Sequence, residues 1–76
     1  MNKSRRKAIE DLIEQVEVIK EKLEEIREEE DTYYDCMPES FRNGEKGERA
    51  QEIIDNLDDA MSSLEDATDN LTAATE

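Results

Sequence analysis

Histidine and tryptophan are absent from this 76-residue chain, and cysteine and proline occur once each. Without histidine, the commonest metal ligand and the usual base near neutral pH are both missing. The lone Cys36 excludes an intrachain disulfide and leaves no second thiol for zinc or thioredoxin-type chemistry. One cysteine and no leader pattern imply a reducing, cytoplasmic setting. The basic start Met1–Lys7 is not followed by an apolar run, since Glu10 and Asp11 interrupt at once. Neither export nor membrane spanning is expected. Two glycines, Gly44 and Gly47, do not make a phosphate loop, and Ser40, Ser62 and Ser63 have no activating partner. The stretch Asp55 to Asp66 lacks the glycine and alternating ligands of a calcium loop. No metal, no cofactor and no enzymatic activity are expected.

Charge is what the chain has in abundance. Charged residues make up 43% and hydrophobic ones 34%, with a net charge of −13, a balance that borders on disorder. Periodicity decides for order. Ile9, Leu12, Val16, Ile19, Leu23, Ile26 and Tyr33 recur at alternating steps of three and four, with Glu30 in the one missing slot. That is the seam of a helix lying lengthwise on another helix. A second set repeats every seven residues: Ala50, Leu57, Leu64, Leu71 with Ile54, Met61, Thr68, Thr75. A third row, Ile53, Ala60, Ala67 and Ala74, widens this stripe beyond what a two-helix seam requires.

The reading is all-α: one antiparallel coiled-coil-like hairpin over residues 1–76, with helix 4–34, turn 35–44 and helix 45–74. Pro38 ends the first helix and opens a single helical turn that Asn43-Gly44 terminates. A loop centred near residue 40 sets Ile9 against Leu71, Val16 against Leu64, Leu23 against Leu57 and Ile26 against Ile54. At 1.5 Å per residue the hairpin is about 45 Å long. Lys3, Arg5, Arg6 and Lys7 are expected beside Asp66, Asp69 and Glu76, and Lys46 and Arg49 beside Glu28–Asp31. These attractions orient the hairpin more than they stabilise it.

Three features bear on function. Residues 51–76 carry eight carboxylates and no basic residue, and the first helix adds an acidic run from Glu24 to Asp31. This surface either keeps the chain solvated or imitates a nucleic-acid backbone and enters a basic groove meant for phosphates. Direct nucleic-acid binding is disfavoured. The only aromatics, Tyr33, Tyr34 and Phe41, cluster at the turn beside Cys36 and Met37. They either clamp the loop or anchor a partner, with Tyr33 inward and Tyr34 or Phe41 outward. Finally, the flank Ile53, Ala60, Ala67, Ala74, with Ile13 and Val18, exceeds what two helices can cover. Dimerisation into a four-helix bundle and docking on a partner's helix are the two uses open to it.

The turn Tyr34-Asp35-Cys36-Met37-Pro38-Glu39, the stretch Glu45-Lys46-Gly47-Glu48-Arg49 and the acidic heptads from Ile53 to Leu71 carry a resemblance. Together they resemble small acidic helical-hairpin proteins of bacteriophages and prophages. No residue-level role comes with that group. It implies a viral accessory protein, active in the host cytoplasm, that inhibits a host nucleic-acid-binding or defence protein. The partner expected is therefore a host protein with a basic surface. The residues expected to carry the contact are Glu28, Glu29, Asp31, Asp55, Asp58, Asp59, Asp66 and Asp69, with Tyr34 and Phe41 as apolar anchors.

Overall fold

The computed structural model describes all residues, Met1–Glu76, and contains helices only. Helix α1 spans Lys3–Asp35, a single turn α2 spans Glu39–Arg42, and α3 spans Glu45–Thr75. The two long helices run antiparallel as a rod of 58 × 15 × 12 Å. Arg6 Nε donates to the Thr75 carbonyl at 3.0 Å near one end, and Arg27 meets Asp58 further along. The rod is longer than about 45 Å because α1 alone has 33 residues and the turn stacks beyond it.

Local chemistry accounts for the boundaries. Asn2 caps α1, its side-chain oxygen accepting the Arg5 N–H at 2.8 Å. Pro38, with φ −55°, cannot donate, so its carbonyl starts a new turn by accepting the Phe41 and Arg42 N–H groups. The Gly44 N–H closes that turn on the Phe41 carbonyl, and α3 then begins with Glu45 and Glu48 favourably placed on the helix dipole. Gly47 is needed for space. A Cβ placed there would lie 2.0 Å from the Arg42 carbonyl oxygen, so the end of α2 rests directly on the α3 backbone. The buried apolar residues, Met37, Ala50 and Ile54, all lie near this close approach. Further along, both helices are only half covered.

The α3 seam follows the periodicity read above. Ala50 and Ile54 are buried, and Leu57, Met61, Leu64, Thr68, Leu71 and Thr75 are partly shielded. The half-buried Thr68 hydroxyl donates to the Leu64 carbonyl, which leaves no orphan donor in the seam.

Helix α1 is rolled relative to expectation. Its shielded row is Ile9, Ile13, Val16, Lys20, Leu23, Arg27, Glu30 and Tyr34. Leu12, Ile19, Ile26 and Tyr33, expected in the seam, are instead 49%, 48%, 49% and 54% exposed. The roll amounts to about 50°, half of one residue's step around the helix. It brings Arg27 to Asp58, lays the aliphatic stems of Lys20 and Arg27 along the seam, and turns Met37 into the end-core. Tyr33 therefore faces outward and Tyr34 inward, the reverse of the expectation.

The expected cross-helix attractions are also different. Lys7 pairs with Asp11 and Arg49 with Glu52, each within its own helix, while Lys46 sits over the Phe41 ring. The one cross-helix ion pair is Arg27–Asp58.

Candidate functional site

The α1 roll sorts the surface into two unlike faces. Residues three, four and seven apart share a side of a helix, so the seam rows locate every other row. Glu10, Glu17, Glu24 and Asp31 form one row of α1, and Glu14, Glu21, Glu28 and Asp35 form the next. Both lie on the side of the rod that carries the Arg27–Asp58 pair. On α3 the rows beginning Asp58–Glu65 and Asp55–Ser62–Asp69 lie on that side, with Asp59 and Asp66 along the outer edge. The result is a continuous acidic face built from both helices.

Lys3 and Lys7 open these two α1 rows and stay exposed at the end of the rod, whereas the cations further along sit at the floor of the face. Lys20 Nζ is 3.9 Å from Glu17, and Arg27 Nε donates to Asp58 Oδ1 at 2.7 Å. The Arg27 Nη2 approaches Asp58 Oδ2 at 3.4 Å, a loose second prong of a forked contact. The bond to Asp58 and its charge hold the guanidinium above the ordinary arginine range. Asp58 is consequently committed to the fold, whereas Asp55, Asp59, Asp66 and Asp69 form no ion pair within the chain.

At the turn, Tyr34 borders a shallow hollow with Arg42, Asn43, Gly47, Glu48, Gln51, Glu52 and the acidic-face residue Asp55. It can thus present an aromatic edge beside carboxylates. Phe41 is half-exposed, and the Lys46 ammonium lies 5.1 Å from its ring centroid, so one ring face is already occupied by a cation. A second hollow on α1, lined by Glu25, Glu28, Glu29 and Thr32, has no apolar wall. Nowhere do three carboxylates or the thiol converge on a point where a metal ion would be held. No helix is long and apolar enough to cross a membrane.

Of the residues singled out from sequence, the structure brings together Glu28, Asp31, Tyr34, Asp55, Asp58, Asp59, Asp66 and Asp69 on or beside the acidic face. Glu29 lies apart, toward the opposite side of α1, and Phe41 is held at the turn under Lys46. Sequence reasoning stopped at Glu24 on α1 and missed Glu10, Glu14, Glu17 and Glu21, while on α3 it counted Glu65 among the acids but not among the contact residues. The signal that finds the α1 acids was present: both rows repeat every seven residues, in phase with the seam. Neither a protein-family model, nor a curated protein, nor a solved structure matches the chain.

Proposed function

We propose that this protein is a non-enzymatic accessory protein that inhibits a host nucleic-acid-binding or defence protein by laying its acidic face on a basic surface. The phage and prophage resemblance of its turn, the Glu45–Arg49 stretch and the acidic heptads supports the biological class, and the charge supports a basic partner surface. The observation that carries the reading is segregation. From Glu10 onward carboxylates from two antiparallel helices share one face, with Lys20 and Arg27 sunk into its floor and the exposed Lys3 and Lys7 confined to one end.

Thirteen net negative charges along 58 Å give one per about 4–5 Å. Duplex DNA carries one per about 1.7 Å and a single strand one per about 3.4 Å, so the charge spacing of the whole rod is closer to one phosphate row than to a duplex. A groove that tracks a single strand is the basic surface it fits best. Carboxylates held on a rigid rod meet such a groove without the ordering cost of a flexible strand.

Affinity capture from host lysate tests this reading. The captured protein should be released by added salt and by competing single-stranded nucleic acid. It should not be captured by the variant Glu17→Gln/Glu21→Gln/Glu24→Gln, which leaves Arg27–Asp58 intact. Retention by that variant, or release indifferent to salt, would count against the proposal. A second reading, a homo-oligomeric structural or scaffold bundle whose acidic surface only solvates it, is favoured by the half-exposed apolar row of α1. Capture of nothing but the protein itself would select it.

A further inference from the structure

The side of the rod opposite the acidic face is apolar, and both helices contribute to it. The roll of α1 leaves Leu12, Ile19, Ile26 and Tyr33 half-exposed in one row. On α3 the row Ile53, Ala60, Ala67, Ala74 flanks the seam on that same side. Handedness settles the placement: both rows lie counter-clockwise of their seams when each antiparallel helix is viewed from its own N-terminus, so they meet on one face. The Arg27–Asp58 pair, on the clockwise side of both seams, marks the other.

We infer that a second copy of this chain covers the apolar face, giving a four-helix assembly with both acidic faces outward. Area is the first argument. The chain exposes 5721 Å², against about 4,800 Å² for a folded monomer of this mass. The excess, about 900 Å², matches the side of a rod 58 by 15 Å, and it matches the roughly 800 Å² that each partner contributes to a standard interface.

Shape is the second. The α1 row is large and branched while most of the α3 row is alanine, so one copy's Leu12, Ile19 and Ile26 have shallow seats on another's face.

Charge is the third. A chain of net charge −13 resists pairing unless its carboxylates stay apart. This face meets that need: its rows contain no carboxylate, and Lys22, Lys46 and Arg49 at its margins outnumber Glu29 and the partly shielded Glu30. The inference is independent of the inhibitory reading, because the acidic faces remain free in the assembly.

Sedimentation and concentration-dependent melting of the full chain test it. The wild type should have twice the chain mass, with a melting temperature that rises with protein concentration. Ile19→Glu should raise the dimer dissociation constant by roughly a hundredfold, since each dimer would bury two unpaired carboxylates. Val18→Glu is the matched control. Val18 is 49% exposed against 48% for Ile19 but lies on the outer back of α1. It should leave the dimer intact. A wild type that stays monomeric, or a Val18→Glu that dissociates the dimer as much as Ile19→Glu, would overturn the inference. The wild-type concentration dependence decides the matter even where Ile19→Glu unfolds. A monomer that still captures a salt-released partner would refute this inference alone; a dimer that captures none would refute only the inhibitory reading.

Discussion

Gly47 shows how a residue's effect can reverse with its surroundings. In a helix interior, glycine-to-alanine ordinarily stabilises by up to about 1 kcal/mol. Here the added methyl meets the Arg42 backbone, which cannot yield as a flexible side chain would. Gly47→Ala should therefore destabilise by about 1–3 kcal/mol, as overpacking does, seen as a lower urea midpoint. An unchanged or higher midpoint would mean that α2 lifts off α3 at little cost. Arg27 and Asp58 make a different residue-scale case. Both side chains are partly solvated, so a double-mutant cycle between Arg27→Ala and Asp58→Ala should show only the weak coupling of a surface pair, with near-additive shifts of the urea midpoint. The pair marks which side of α1 meets α3.

Among elements, α1 is the one whose ends conflict with its own dipole. Its first turn carries Lys3, Arg5 and Arg6 and no acid, and its last turn carries Asp31 and Asp35 and no base. The Asn2 cap and the Lys7–Asp11 bond at 2.7 Å compensate at the start. The bond to Asp11, reinforced by its charge, raises the Lys7 pKa above the ordinary 10.5. A raised folded-state pKa contributes stability that is fully present below the unfolded lysine value and lost as pH climbs through the folded one. Titration of the Lys7 side chain by NMR should therefore end at a higher pH than in an Asp11→Asn variant, and a coincident titration would show that the pair does not form. Helix α3 has the opposite character: its buried Ile54 anchors the end-core. Ile54→Ala should cost about 2–5 kcal/mol, the range for deleting a buried isoleucine down to the β-carbon. A cost under about 1 kcal/mol would mean the end-core is loose.

On the scale of the whole molecule, salt should act in two opposite ways. Screening weakens the repulsion among carboxylates crowded on one face, so added salt should raise the melting temperature of the isolated protein. The same screening, with counterion retention on a basic partner, should weaken capture of that partner. Observing both signs in one buffer series would tie the acidic face to both stability and recognition. A melting temperature that falls with salt would place the dominant electrostatics in attractive pairs instead. The proposed pairing through the apolar side would add a dependence on protein concentration that neither salt effect predicts.

The helical hairpin was legible in the sequence because its signals are local. Pro38, Asn43-Gly44 and the seven-residue rows act within a turn or two of where they sit, and on α3 the larger side chains of the two seam rows outweigh the mostly alanine flank. Helix α1 was less legible: it carries two apolar options that share Ile9, Val16 and Leu23, one adding Leu12, Ile19 and Ile26, the other Ile13 and Tyr34. Periodicity favours the more apolar set, but periodicity weighs a helix alone. Pairing with α3 admits the stems of Lys20 and Arg27, offers Asp58 to Arg27, and must seat the turn on Gly47. Those are long-range contacts, and they turn α1 toward its less apolar side. The sequence by itself therefore determined two long helices, their antiparallel return, the α3 seam and the excess of acid. Tertiary structure alone decided the roll of α1, and with it which carboxylates share a face and which apolar row is left uncovered. The physical reason is that the roll is set by close packing and one ion pair between residues thirty-one positions apart, which no local pattern encodes.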